Sequence, residues 1–177
     1  MPFQSAEQFL DDVIINEFFT LLPGIAKSIK FSLLCFDTHF CESLLTRGFV
    51  SIGYKKWATR NTVWDYPVWL IPVNFAVHWT ILIVIHSRQS IVYLDSLHGN
   101  PNEKILNGIC NFIQENISMS LWDEWTLYTP RDIPSQIINN DVGGNCEMHV
   151  CTWAYIIASG SYTKFSEDDM SAARKGI

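Results

Sequence analysis

The chain has 177 residues, 48% hydrophobic and 14% aromatic, with a formal net charge of −6 at pH 7. That is enough apolar material for one sizeable core and little beyond one domain, expected to span residues 1–177. The charge, with no basic cluster before the tail denser than Lys55-Lys56, argues against nucleic acid as a partner, and no apolar run approaches the roughly eighteen residues of a membrane span.

Met1-Pro2-Phe3-Gln4 has neither the basic lead nor the apolar core of a signal peptide. Five cysteines, an odd number, fit a reducing nuclear or cytoplasmic compartment better than a disulfide framework.

Ser5 and Gln8 have capping-box spacing, and Phe9, Leu10, Val13, Ile14 and Phe18 favour one helical face. This first helix is expected to end before Pro23-Gly24. Phe31 to Thr46 reads as a second helical or mixed segment, with Cys35 and Cys41 in the core. Phe49 to Asn61 alternates polar and aromatic residues and leads into three β-rich runs: Val68 to Val73, His78 to Ile85 and Ser90 to Leu94. His86 to Gln89 reads as a hairpin turn, which predicts an antiparallel meander covered by helices on both faces. Pro101-Asn102-Glu103 opens a helix in which Ile105, Ile109, Phe112, Ile113 and Ile117 hold the 3.6-residue period, with Asn102 as its N-cap. Trp125 to Tyr128 adds a strand, and a last apolar helix runs from Cys146 to Ala158 with Val150, Trp153, Ala154 and Ile157 inward. The order predicts an α+β fold without internal repeats.

The chemistry concentrates where Gly143-Gly144-Asn145 delivers Cys146 to a helix N-terminus, a place that favours a thiolate. His78 begins a predicted strand, and Asp95, 17 positions later, ends the next. Two adjacent antiparallel strands and a short turn would make them neighbours. Asp95 would then orient the imidazole and His78 would take the proton of Cys146. Singly, such a histidine is more often a strand-edge residue and such an aspartate a turn-former; one triad model accounts for all three. A zinc site of Cys146, His149 and Cys151 competes, but on a helix Cys151 lies off the side that the other two share, and no second ligand pair has matching spacing. His149 and Cys151 are therefore read as packing residues, and His39, His86 and His98 as surface or loop residues.

These residues resemble the SUMO-specific, or sentrin-specific, cysteine proteases of ubiquitin-like modifiers, with their adenovirus-protease-like fold. Phe9 to Ile15 is similar to the family's opening Trp-Leu-Asn-Asp helix start, with phenylalanine for tryptophan. Ile71-Pro72-Val73 before His78-Trp79, Tyr93-Leu94-Asp95-Ser96-Leu97, Pro134-Ser135-Gln136, Cys146 through Cys151 and Met170 to Arg174 continue the likeness over nearly the whole chain. It implies a papain-like α+β superfamily fold: a small, mostly antiparallel mixed sheet flanked by helices, with the cysteine at a helix N-terminus.

The implied activity is cleavage after the terminal Gly-Gly of a modifier, SUMO first and NEDD8 second. Cys146 is the implied nucleophile, His78 the base and acid, and Asp95 the orienting group. Gln136 is the implied oxyanion donor, Trp79 covers a narrow diglycine tunnel, and Asp12 faces the modifier. No cofactor or metal is expected, and the protein is expected to be a monomer. The chain departs from the family pattern in having Asn145 before and Glu147 after the cysteine. Gln136 lies ten residues before Cys146, whereas Asn140 occupies the family's six-residue position; either amide fits the role. The chain also stops where relatives commonly continue as a helix. These departures keep open a weakened relative acting as a modifier-binding module, and the superfamily frame also admits an acyltransferase.

Overall fold

The computed structural model describes residues 10–47, 51–114, 125–137 and 144–174. In chain order the elements are α1 (Asp12–Ser28), β1 (Leu33–Cys35), α2 (Thr38–Arg47), α3 (Ser51–Arg60), β2 (Val68–Phe75), β3 (His78–Ile85), β4 (Ser90–Leu94), α4 (Glu103–Gln114), β5 (Thr126–Tyr128), α5 (Cys146–Ser159) and α6 (Glu167–Arg174). The strands form one five-stranded sheet whose spatial order follows the sequence, β1 to β5.

β2, β3 and β4 are the expected antiparallel meander, whereas β1 and β5 add parallel edges. Phe75 pairs with His78, so β2 and β3 are joined by only two residues. Both, Ala76 and Val77, take positive φ, 50° and 60°, which is what lets a two-residue hairpin match the strand twist. The next link is a short 3-10 turn, His86–Arg88, closed by Gln89 in the left-handed region.

Alternation along the strands divides the core in two. Leu70, Trp79, Ile81 and Ile83 belong to a cluster with Ile15, Phe19 and Leu22 of α1 and Val150, Trp153 and Ala154 of α5. Trp69, Ile71, Leu82 and Val84 face the other way, into a cluster with Phe40 and Leu44 of α2 and Ile109 and Phe112 of α4. The sheet is thus covered on both faces, and β2 and β3 are apolar along most of their length for that reason.

Several expectations change. The proposed capping box falls outside the described residues; the observed N-cap is Asp11, whose carboxylate accepts the Ile14 N–H at 3.0 Å. α1 does not stop before Pro23-Gly24. The buried face Ile15, Phe19, Leu22, Ala26 continues through it, and tertiary burial outweighs the local cost of proline. The real stop is at Lys30, with φ of 60°, where the Phe31 and Lys30 N–H groups bond back to the Ala26 and Lys27 carbonyls at 2.9 and 3.0 Å.

The segment after Phe31 is a short strand followed by a helix, and Ser51–Arg60 is helical too. Asn102 caps α4 as expected, accepting the N–H groups of Lys104 and Ile105 at 3.0 and 3.2 Å; Ile117 lies outside the described residues. Cys41 is buried, but Cys35 is only partly so. His86 is not simply a surface residue. Its half-buried ring packs edge-on to Trp69 at 4.4 Å and to Trp125 at 5.8 Å, and burial pushes its pKa down to about 4.

Because Lys30 is exposed and carries a side chain in the left-handed region, Lys30→Gly is expected to stabilise the fold by about 0.5–1 kcal/mol. Urea unfolding monitored by circular dichroism measures this; a lower midpoint would contradict it.

Candidate active site

Since Ile81 pairs with Leu94, the beginning of β3 lies beside the residues that follow β4. There His78 Nε2 and Asp95 Oδ1 are 2.6 Å apart. Asp95 is held in turn by the N–H groups of Leu97 and Gly99, at 2.8 and 2.9 Å. Gly99 allows that approach, because a β-carbon on it would lie 2.6 Å from Asp95 Oδ2. Burial favours the neutral acid, but the bonds from His78, Leu97 and Gly99 hold Asp95 below the usual carboxylate range.

The same pairing acts on the histidine. Burial lowers the His78 pKa, yet hydrogen bonding to Asp95 and to Cys146, with the negative charge on both, carries it up to about 9. With Nε2 engaged by Asp95, Nδ1 is the nitrogen left for the thiol. The sulfur lies 3.4 Å from the Trp79 backbone N–H and 3.5 Å from Glu147 Oε2. Cys146 begins α5, so its own N–H is among those that an α-helix leaves without an internal partner.

Gln136 is held twice by Ser96: its backbone N–H donates to the Ser96 carbonyl and its side-chain Oε1 accepts from the Ser96 hydroxyl, both at 3.0 Å. That turns Nε2 towards Gly144, where a β-carbon would meet it at 2.6 Å. Asn140, the other amide considered for this position, lies outside the described residues.

His78, Trp79, Gln136, Gly144, Cys146 and Glu147 line one cleft of about 790 Å³, with Asp11, Asp12 and Glu42 on the same walls. Trp79 is nearly buried; Asp12 is exposed at the start of α1. The structure therefore brings together Cys146, His78, Asp95 and Gln136, with Trp79 against the sulfur and Asp12 on the cleft wall. It adds Ser96, which the sequence reading names only as a neighbour of Asp95, and Gly99. It also places Glu147, whose side chain is fully buried against the thiol. A carboxylate so close opposes negative charge on the sulfur.

An α+β sheet covered by helices on both faces, with a helix-initiating cysteine beside a histidine–aspartate pair, defines the class. The chain belongs to the Ulp1 protease family: the model of that family's C-terminal catalytic domain matches residues 10–177. It is 27% identical over 176 residues to Sentrin-specific protease 2 of Pongo abelii, covering 94% of this chain and 28% of that protein. It is 23% identical over 181 residues to a Sentrin-specific protease of Caenorhabditis elegans, covering 97% of this chain and 24% of that one.

The C-terminal Ulp1 protease domain solved in complex with Smt3, the yeast ortholog of SUMO, superposes with a TM-score of 0.74 at 22% identity, covering 97% of this chain and 75% of that one. The African swine fever virus protease pS273R shares the fold more distantly, with a TM-score of 0.58 at 12% identity over 95% of this chain and 66% of the viral one. The chain spans under a third of the length of the curated relatives it matches. No helix among the described residues is long and apolar enough to cross a membrane.

Asp95→Asn removes the charge and half of the pairing, so the His78 midpoint, near 9 in the wild type, is expected to fall by at least about one unit, read by NMR from the imidazole C–H. The sign follows for stability. A group raised above its ordinary 6.5 contributes stability that is full below 6.5 and is lost as pH rises through about 9. Gly144→Ala drives a methyl into the Gln136 amide and is expected to cut turnover roughly a hundredfold while leaving alkylation of Cys146 by iodoacetamide largely intact. Equal losses in both assays would contradict this.

Proposed function

We propose that this chain is a cysteine peptidase that cleaves after the C-terminal Gly-Gly of a ubiquitin-like modifier, SUMO in the first instance. The observation that carries the reading is the position of His78 between Asp95 and the Cys146 thiol, with the Gln136 amide at Gly144. In this mechanism the thiol proton passes to His78 Nδ1 and the sulfur attacks the carbonyl carbon of the terminal glycine. The oxyanion that forms is met by Gln136 Nε2–H and the Cys146 N–H, donors worth about 3–4 kcal/mol each in sites of this kind. The C–N bond then breaks, with the lysine amine, or the amine of the precursor's next residue, taking the proton from His78. Water, deprotonated by His78, attacks the thioester and releases the modifier carboxylate and the free thiol. Asp95 keeps the ring oriented and its cation favourable throughout.

Trp79 lies against the extended diglycine in this reading, and Asp12, exposed on the cleft wall, faces the modifier. The Ulp1 domain solved with Smt3 supports SUMO as the partner, and the names of the curated relatives support proteolysis. One sheet with both faces covered supports a single catalytic domain for the described residues. Five free cysteines support a nuclear or cytoplasmic setting.

Propargyl or vinyl-sulfone probes built on SUMO, NEDD8 and ubiquitin test the reading. A covalent adduct with SUMO, lost in Cys146→Ala, is expected. An adduct with NEDD8 alone would change the modifier, and binding of free SUMO without any adduct would replace the peptidase by a docking module.

A further inference from the structure

The catalytic helix is tied down by a polar network that the proposed mechanism does not use. Asn145, immediately before Cys146, is almost fully buried and is the N-cap of α5, yet its side chain makes no capping bond. Instead Asn145 Nδ2 donates to Glu167 Oε1 at 2.5 Å. The other oxygen of the same carboxylate, Oε2, is 2.8 Å from Nε2 of His149, a side chain with no solvent exposure.

The network is buried and walled by aromatic rings. The rings of Trp153 and Phe165 pack on His149, each at 5.4 Å. Burial lowers the His149 pKa against the pull of Glu167 and Glu147, and Nδ1 has no partner. The ring is therefore neutral, with Nε2–H donating to Glu167. An unmatched carboxylate would be costly here, and each bond to a charged acceptor in such surroundings is strong.

The two donors flank the nucleophile: one precedes it, and the other lies about one helical turn on, where the His149 N–H also bonds the Asn145 carbonyl at 3.0 Å. Holding both ends of that turn with one rigid carboxylate fixes where Sγ stands relative to His78 and the Trp79 N–H. Glu167 belongs to the first turn of α6, so the anchor comes from a separate element late in the chain.

We propose that Glu167 is a positioning residue for the nucleophile, bridging Asn145 and His149 so that the first turn of α5 presents Cys146 to His78. The inference rests on Cys146 being the attacking group and not on which modifier is cleaved. Misplacing a reacting atom by about 1 Å can cost on the order of a hundredfold in rate.

The donor and acceptor pattern dictates the test. Glu167→Gln offers one carbonyl to two donors and sets its own NH₂ against one of them. Asn145→Asp sets two carboxylates together in this buried network. The double variant, N145D with E167Q, restores both bonds across residue 167: the new carboxylate accepts from the glutamine NH₂, and the glutamine carbonyl accepts from His149. Each single variant is expected to lower kcat about ten- to a hundredfold with KM little changed, and the double variant to recover most of the loss.

The rate of iodoacetamide alkylation of Cys146, taken over a Cys146→Ala background, should fall and recover in the same way. Being substrate-free, it separates failure of this proposal from failure of the modifier reading. Where the singles do not fold, the double alone decides. A folded double that alkylates at the wild-type rate supports the role. A double that fails to fold or alkylates as slowly as the worse single overturns it, as do single variants with unchanged kcat.

Discussion

The register of β3 between β2 and β4 is the constraint on which the site depends. Successive residues of a strand point to opposite faces, so a slip of one position would exchange the directions of His78 and Trp79. In the observed register Trp79 enters the core shared by α1 and α5 while its backbone N–H meets the Cys146 sulfur. His78, one step earlier, reaches Asp95 at the edge. The register is pinned by apolar residues on both faces of β3 and by a hairpin link of only two residues. A cleft-side function is in this way secured by packing well away from the cleft.

Around that strand the charges are arranged by partner. Asp95 is held by three donors, His78 by two acceptors, and Glu167 by two donors, so each of these three groups has its complement. Glu147 differs in kind. It is buried on the acidic side of the cleft with its Oε2 3.5 Å from the sulfur, so the thiol stands between the His78 imidazole and this carboxyl group.

Much of this was legible before any coordinates. β3 and β4 carry their boundaries in the sequence, because long β-branched runs meet turn residues at both ends, and the hairpin they form predicts the meeting of His78 and Asp95. α4 was equally readable from its period and its Asn102 cap. α1 was not, because Pro23-Gly24 is a local stop signal overridden by a buried face that only the sheet and α5 supply. α3 was missed because its described residues bury little beyond Ala58, so no apolar stripe announces it. Glu147 and Glu167 were unreadable as interior residues for a general reason: periodicity treats a carboxylate as a surface marker, and a buried one is revealed only by partners distant in sequence. Asn145 and Glu167 are 22 positions apart.

The spatial order of the strands, identical to their order in the chain, bears on when the site comes into being. His78 and Asp95 belong to one local hairpin whose closure spans few residues and is therefore fast. Cys146 arrives with α5, which packs on α1, far earlier in the chain, and on β3. A chain emerging from the ribosome thus carries an acid–base pair early and a thiol late. The two meet only when α5 closes back on α1 and β3, so the arrival of the thiol beside His78 is itself a report that this packing has formed.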